Sequence, residues 1–177
     1  MAVLDILTYP DERLKQTSLA VDVFDPELAN LVADLEETMD VGPGSVGIAA
    51  PQVNIFKRIA IVDVTPMVER ARAKKRRFRS SHNGRMVLIN PELLEQDSEA
   101  TGREGCLSVP DYTGNVIRAK RIVLQVKDIK GDVKTYHCEG FESCAVQHEL
   151  DHLDGLLFLD RLVSARELFR RKAHLQG

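Results

Sequence analysis

Two histidines four residues apart, with a glutamate after the first, constrain this chain more than any other feature. They lie in residues 147–152, Gln-His-Glu-Leu-Asp-His, which contain the HExxH pattern. In a helix this spacing puts His148 and His152 one turn apart on one face, where both imidazoles can bind one metal ion. Glu149 then lies about 100° around the helix, where it can act on a metal-bound water without being a ligand. Two histidines on a core-facing helix are the alternative, but chance produces the pattern in only about one chain of this length in a hundred.

A catalytic site of this kind takes three protein ligands, so a third ligand is needed. The candidates are the three cysteines, Cys106, Cys138 and Cys144. Cys144 lies eight residues before His152, a helical rise of about 12 Å, whereas a cysteine and a histidine reach a shared ion over only about 9–10 Å. Cys138 ends a predicted strand, where a free apolar cysteine is the commoner outcome. Local chemistry therefore favours Cys106, between glycines, and leaves Cys138 as the alternative.

Composition indicates a soluble globular protein. The chain has 177 residues, of which 44% are hydrophobic and 29% charged, and this length suits one domain with a sizeable core. We find no run of eighteen apolar residues and no basic-then-apolar start, so neither a membrane span nor secretion is expected. Three cysteines without framework spacing favour a reducing compartment. The sequence therefore predicts a cytoplasmic protein.

The first predicted helix covers residues 25–40. Asp25 supplies the N-cap and Pro26 the first helical position. The apolar residues that follow recur at helical spacing and predict a buried stripe. They are Leu28, Leu31, Val32, Leu35 and Met39.

Residues 42–52 are rich in glycine and alanine and end in Gln52. They are typical either of a flexible connector or of a backbone that a ligand approaches closely, with the Gln52 amide aimed at it. Composition alone leaves both interpretations open.

The remaining pattern predicts strands around the histidine-bearing helix. A turn is expected at Pro91, and residues 102–110 form a predicted glycine-bounded loop around Cys106. The metal-bearing helix begins at Glu142 or Ser143 and ends before Gly155, and residues 164–167 have the capping-box form of a last helix reaching about residue 173. The predicted strands are 58–64, 86–90, 92–99, 121–128 and 133–139. The expected fold is α+β, with antiparallel strands packed around a central metal-bearing helix and with N-terminal and C-terminal helices, in a single domain over residues 1–177.

Three separated stretches resemble a known family. Residues 47–52 (Gly-Ile-Ala-Ala-Pro-Gln), 104–108 (Glu-Gly-Cys-Leu-Ser) and 147–152 resemble, in content and order, the three motifs of peptide deformylase. Residues 6–14 and 156–162 are similar to that family as well. The resemblance covers nearly the whole chain apart from a basic segment at residues 70–85.

The resemblance implies a metal-dependent hydrolase that removes the formyl group from the N-terminal formylmethionine of nascent polypeptides. Cys106, His148 and His152 would bind one Fe2+ per chain, with Zn2+, Ni2+ or Co2+ as substitutes, and water would fill the fourth position. Hydroxide from that water would attack the formyl carbonyl. Glu149 would take the water proton and pass it to the departing amine, and formate would leave.

The resemblance also implies how the substrate is held. The Gln52 side-chain amide and the Leu107 backbone N–H would donate to the developing oxyanion. The backbone of Val46 and Gly47 would pair with the N-formylmethionyl peptide as a strand does. The methionine side chain would enter an apolar pocket, although ordinary core packing is the alternative for its residues. These are Val46, Ile48, Phe141, Cys144 and Ala145.

This chain departs from the family pattern at three places. Ser45 stands where the first motif often begins with glycine, and Tyr112-Thr113 stands where many members place an arginine that holds the substrate backbone. Peptide affinity and residue preference are therefore open. Residues 70–85 form an apparent inserted loop with eight basic residues and no acid, in a chain of net charge −3.

The basic segment is open to two interpretations. A charge run is usually a solvated loop. Clustered Lys and Arg also bind phosphates, so a contact with ribosomal RNA near the nascent-chain exit is the functional alternative. No membrane and no DNA partner is expected.

Two other functions fit parts of the pattern. HExxH also serves zinc peptidases, although a thiolate as third ligand argues against that class. A metal-stabilised RNA-binding module would instead have a closed site, with His137 or Cys138 as fourth ligand and Glu149 dispensable.

Overall fold

The structure, a computed structural model that describes residues 2–171, has an antiparallel sheet packed against helices. The strands are β1 (Gly47–Ala49), β2 (Ile59–Val62), β3 (Met86–Cys106), β4 (Val109–Lys127), β5 (Val133–Glu139) and β6 (Leu168–Arg170). The helices are α1 (Pro26–Val41), α2 (Thr65–Ala73) and α3 (Phe141–Leu153). The sheet order is β1-β2-β3-β4-β5, and β6 pairs with β4. This arrangement confirms the predicted α+β class.

Helix α1 forms as its sequence predicts. The Asp25 side chain accepts a hydrogen bond from the Leu28 backbone N–H at 2.9 Å, which satisfies a donor that the helix itself leaves unpaired. The buried stripe packs against β1 and β2 in one core cluster. The buried helix residues of this cluster are Leu28, Val32, Leu35 and Met39.

Strand β3 is longer than predicted, because Pro91 does not turn the chain. The strand runs through Pro91 with a register shift between Ile89 and Glu92, since a proline that lacks an N–H can be accommodated at a bulge. Asn90 has a φ of 49°. Its side chain bonds the Val21 backbone N–H at 2.8 Å and C=O at 2.9 Å.

The predicted loop around Cys106 is a strand end. Cys106 pairs with Val109 across a tight hairpin turn at Leu107 and Ser108. The sulfur is therefore presented by the sheet and not by a free loop.

Helix α3 crosses the sheet and begins at Phe141, one residue earlier than predicted. Val146 and Leu153 pack with sheet residues such as Leu88 and Leu124 in a second core cluster. Gly155, the predicted cap, follows the helix with a φ of 74°. In the described part of the chain, no helix is long and apolar enough to cross a membrane.

Two predictions about loops and helices were wrong. The basic segment is not a loop throughout, because residues 70–73 belong to α2. The helix predicted from Ser164 is a short 3-10 turn, Ala165–Glu167, followed by β6, which pairs with Tyr112–Gly114 of β4. The Ser164 side chain makes no capping hydrogen bond, and the edge of β4 offers backbone partners instead. The end of that predicted helix, beyond residue 171, lies outside the described residues.

Candidate metal centre

Three ligand-type side chains meet where the end of β3 faces α3. The ligand atoms of Cys106, His148 and His152 lie within 4.8 Å of one another, and Cys106 Sγ is 3.2 Å from His152 Nε2. The histidines are one turn apart on α3, as their spacing predicts. Burial raises the pKa of the Cys106 thiol, but the imidazoles of His152 and His148 outweigh it and hold that pKa well below its usual value. A thiolate and two imidazoles form a donor set typical of a catalytic transition-metal site.

A buried ion network orients the first histidine. His148 Nδ1 lies 2.9 Å from Glu104 Oε2, so Nε2 is the ring nitrogen left for a metal. The Arg118 guanidinium donates to both Glu104 oxygens, at 2.9 and 3.0 Å. Arg118 also donates to Asp151 at 2.5 Å, and Asp151 accepts from Arg161 at 2.9 Å. The sequence reasoning missed this network, whose only signal was charged residues in the cysteine and histidine motifs.

Glu149 lies beside the ligands with a free oxygen. It is 4% exposed, and among the described residues its Oε2 has no hydrogen-bond partner. Burial raises the pKa of Glu149 to about 7, although the positive charge of a bound ion lowers such a pKa. The carboxyl group packs against Gly47, where a Cβ would overlap it. This position suits a proton acceptor that is not a ligand.

Gln52 points its amide at the thiolate. Its Oε1 accepts from the Ala49 backbone N–H at 2.9 Å, which fixes the orientation of the amide. Its Nε2 donates to Ser108 Oγ at 3.0 Å and to Cys106 Sγ at 3.5 Å. The glycine- and alanine-rich stretch before Gln52 is therefore a strand and turn that deliver an amide to the site.

A cavity of about 300 Å³ opens onto the ligands. It is lined by five of the residues proposed to hold the substrate, Val46, Gly47, Phe141, Cys144 and Ala145, and also by Gln52 and Leu107. Ile48 is not part of the lining, because its side chain packs with α1 in the core. Neighbouring strand residues point to opposite faces, which explains the difference between Gly47 and Ile48.

Other residues of the cavity were missed from the sequence. Met67 of α2, Arg103 of β3 and Arg171 after β6 line it. Arg103 donates to Asn115 Oδ1 at 2.8 Å, and the Arg171 guanidinium lies against Gly105. Only the folded chain brings these distant segments to one rim.

The residues that depart from the family pattern lie near this rim. Ser45 Oγ donates to the Gly47 carbonyl at 2.9 Å, and Tyr112 and Thr113 pair with β6. His137 is exposed on β5 and Cys138 is buried in the core. Neither belongs to the metal-type cluster found among residues 2–171, which argues against a closed four-ligand site.

Comparison with known proteins agrees with this geometry. The family model of polypeptide deformylase matches residues 3–167. A peptide deformylase of Alkalilimnicola ehrlichii is 41% identical over 97% of this chain and 89% of its own length. One from Heliobacterium modesticaldum is 42% identical over 92% of this chain and 95% of its own length.

Solved structures show the same relationship. The peptide deformylase of Ehrlichia chaffeensis in complex with actinonin superposes with a TM-score of 0.83 at 34% identity, over 94% of this chain and 92% of that one. The Thermotoga maritima enzyme gives 0.80 at 32% identity, over 93% of this chain and 100% of that one. With the family model, the relatives and the fold in agreement, this chain belongs to the polypeptide deformylase family of enzymes.

Proposed function

We propose that this chain, as one catalytic domain over residues 1–177, removes the formyl group from formylmethionine at the N-terminus of nascent polypeptides. One observation carries the proposal. Cys106, His148 and His152 bring their ligand atoms within 4.8 Å of one another, next to the free buried oxygen of Glu149 and at the wall of a cavity. The cytoplasm, where formylated chains are made, is the proposed compartment.

The residues fit a divalent transition metal. Two imidazoles and a thiolate suit such an ion, and we propose Fe2+, with Zn2+, Ni2+ or Co2+ able to take the site. Three protein ligands leave a coordination position for water or substrate. When bound, the ion activates water at neutral pH and polarises a carbonyl oxygen.

Glu149 carries the proton in this proposal. Its Oε2 takes a proton from the attacking water and later gives it to the amine that leaves as the amide C–N bond breaks, releasing formate. The absence of a hydrogen-bond partner among the described residues leaves that oxygen available for the transfer. Gly47, which lines the cavity, packs against the Glu149 carboxyl group and keeps it in place.

Gln52 and Leu107 stabilise the oxyanion. The weaker of the two Gln52 Nε2 hydrogen bonds, to Cys106 Sγ at 3.5 Å, can be exchanged for one to the carbonyl oxygen. The Leu107 backbone N–H is the second proposed donor, from the turn next to Cys106. One such donor is typically worth about 3–4 kcal/mol of transition-state stabilisation.

The substrate would lie along the edge of β1. The backbone of Val46 and Gly47 would pair with the peptide, and the methionine side chain would enter the cavity between Phe141, Cys144 and Ala145. Burial raises the pKa of the Cys144 thiol, so this wall stays uncharged and suits an apolar side chain.

Formate release tests the proposal. Protein loaded anaerobically with Fe2+ is given formyl-Met-Ala-Ser, beside Glu149→Gln with its metal content measured. We expect release by the parent and a loss of at least about a hundredfold in kcat for a variant that still holds metal. No formate from a fully metallated parent would rule out deformylation. Full activity of Glu149→Gln would rule out its proton transfer.

We also propose that basic residues of the 70–85 segment contact ribosomal RNA. Arg70, Arg72, Lys74, Lys75, Arg76 and Arg77 have exposed or half-exposed side chains, and phosphate contacts require such clustered cations. Sedimentation with ribosomes should weaken as salt rises, and charge reversal at Lys74 and Lys75 should weaken it at low salt. Ribosome binding that changes neither with salt concentration nor on charge reversal at Lys74 and Lys75 would contradict this contact.

A further inference from the structure

The basic segment is fastened to the start of α3 by a buried carboxylate. Glu142 is 0% exposed. It accepts hydrogen bonds from Ser81 Oγ at 2.5 Å, the Asn83 backbone N–H at 2.7 Å and Asn83 Nδ2 at 2.8 Å. Its own backbone N–H donates to Ser80 Oγ at 3.0 Å. A buried carboxylate with three donors holds its partners firmly.

The backbones of the two segments also touch. Ser80 forms a β-bridge with Gly140, and a Cβ on Gly140 would overlap the Arg79 carbonyl. Gly140 has a φ of 63°, which a glycine adopts without strain. The end of the inserted segment is therefore part of the N-terminal boundary of α3.

Two side chains connect this segment to the cavity. The Phe78 ring packs on the Phe141 ring, with centroids 5.5 Å apart and planes inclined at 57°, and Phe141 lines the cavity. Met67 of α2 lines the cavity directly. Met67 is 37% exposed, and Val68 beside it is buried in the core cluster that includes Ala145 and Val146. From residues 65–83, Met67 thus lines the cavity, and Phe78 packs against the lining residue Phe141.

We propose that residues 65–83 form the outer wall of the pocket for the first side chain of the substrate and set the selectivity of that pocket. Met67 is a contact residue, and Phe78 is a positioning residue that acts through Phe141. The inference rests on the proposed deformylase function. Its physical basis is that Met67 is apolar, unbranched and adaptable, and that Phe141 lacks a stacking partner on its outer side once Phe78 is removed.

Selectivity, and not activity alone, tests this wall. The ratio of kcat/KM for formyl-Met-Ala-Ser to that for formyl-Phe-Ala-Ser is measured in the parent, Met67→Ala and Phe78→Ala. Both variants enlarge or loosen the pocket, so we expect the ratio to fall about tenfold, the size typical of a few methylene groups in an apolar pocket. Phe78→Leu, which keeps an apolar contact, should restore most of the ratio.

A matched control distinguishes a change in pocket selectivity from a general loss of protein stability. Phe24 packs in the other core cluster with Lys127 Nζ 5.5 Å from its ring centroid, so Phe24→Ala should lower the melting temperature and leave the ratio unchanged. Equal ratios in the parent, Met67→Ala and Phe78→Ala would overturn the inference.

Binding of products keeps the test independent of turnover. Calorimetry of Met-Ala-Ser and Phe-Ala-Ser with metal-loaded protein gives a second Met-to-Phe ratio, that of the two dissociation constants. If the parent releases no formate, the proposed function fails, and the wall is then judged by these constants alone. A Met-to-Phe preference that both variants retain in binding would overturn it.

Discussion

Glu104 connects the metal ligands to the buried charges at residue scale. Burial alone would raise the pKa of its carboxyl group, but the hydrogen bonds from His148 and Arg118 lower that pKa to about 2. A depressed carboxyl pKa stabilises the folded state above the pKa of the unfolded chain, and this stability is lost as pH falls towards the folded value. Glu104 therefore orients His148 and makes the stability of the folded state fall at low pH.

Glu104→Gln tests this role. The variant removes one of the two carboxylates that pair with Arg118, so we expect a loss of about 3 kcal/mol in the free energy of unfolding near neutral pH, the size that a pKa lowered from 4.5 to about 2 implies. The difference in unfolding free energy between the parent and the variant should narrow as pH falls from about 5 to about 2. Over this range Glu104 of the parent becomes protonated and loses the charge that the variant lacks. Urea unfolding of the metal-free proteins across this pH range measures it. Glu99→Gln, an exposed change on the same strand, should show neither effect, and a gap that stays constant with pH would contradict the assignment.

Arg171 offers a second test at this scale. Arg103 already donates to Asn115 and Thr113, whereas the Arg171 guanidinium lines the cavity beside Gly105, so Arg171 is the rim cation that we expect to donate to a substrate carbonyl. We expect Arg171→Gln to raise KM for formyl-Met-Ala-Ser about three- to tenfold with little change in kcat, as loss of one solvent-exposed hydrogen bond would. Arg166→Gln, an exposed change nearby, is the control. An unchanged KM would show that the rim charge does not hold substrate.

At the scale of elements, α3 unites the metal site with the inserted segment. Its first turn carries Phe141 and Glu142, which contact residues 78–83, and its later turns carry His148, Glu149 and His152. A substitution in the first turn of α3 therefore lies only a few turns from the proposed metal ligands. The end of the basic segment therefore packs against the helix that carries the proposed metal ligands.

Glu142→Gln should loosen the basic segment. A glutamine presents an N–H to donors that now meet a carboxylate, so some of the hydrogen bonds from Ser81 and Asn83 are lost. We expect trypsin to cleave after the lysines and arginines between residues 74 and 79 several times faster in the variant than in the parent. The rest of the chain should stay protected. Glu139→Gln, an exposed neighbour, should leave the cleavage rate unchanged. Equal rates in the parent and Glu142→Gln would show that the segment is held by other contacts.

At the scale of the whole molecule, the proposed metal ligands come from distant parts of the chain. Cys106 and His152 are 46 residues apart, and a metal that binds only the folded state stabilises it by mass action.

Zn2+ at a thousand times its dissociation constant should add about 4 kcal/mol to the free energy of unfolding. Chelation should remove this gain. Cys106→Ser should lose most of it and Cys144→Ser, outside the ligand set, should keep it. A full gain in Cys106→Ser would exclude the thiolate as a ligand.

The thiolate also predicts sensitivity to air. A thiolate donates more charge than imidazole, and with Fe2+ it makes the site easy to oxidise. We expect the Fe2+ protein to lose activity under air and the Ni2+ protein to keep it, as formate release over time measures. Retained activity of the aerobic Fe2+ form would contradict this.

Local sequence patterns were enough to predict several elements correctly. Helix α1 follows from the Asp25 cap and the apolar stripe, and the pairing of His148 with His152 follows from the 3.6-residue period of a helix. The spacing also excluded Cys144 as a ligand that shares a metal with His152, and the structure places it in the cavity wall.

Features that arise from contacts between distant segments became visible only in the folded chain. Strand β3 continues through Pro91, where the Asn90 side chain bonds Val21, 69 residues away. The edge of β4 pairs with β6 where local capping signals predicted a helix. The pairing of Glu104 with Arg118 and Asp151, the rim arginines and the packing of Phe78 on Phe141 join residues far apart in the chain, which no local pattern predicts. The physical reason is that patterns report on neighbours a few residues apart, whereas hydrogen bonds and packing join whatever residues the fold brings within reach.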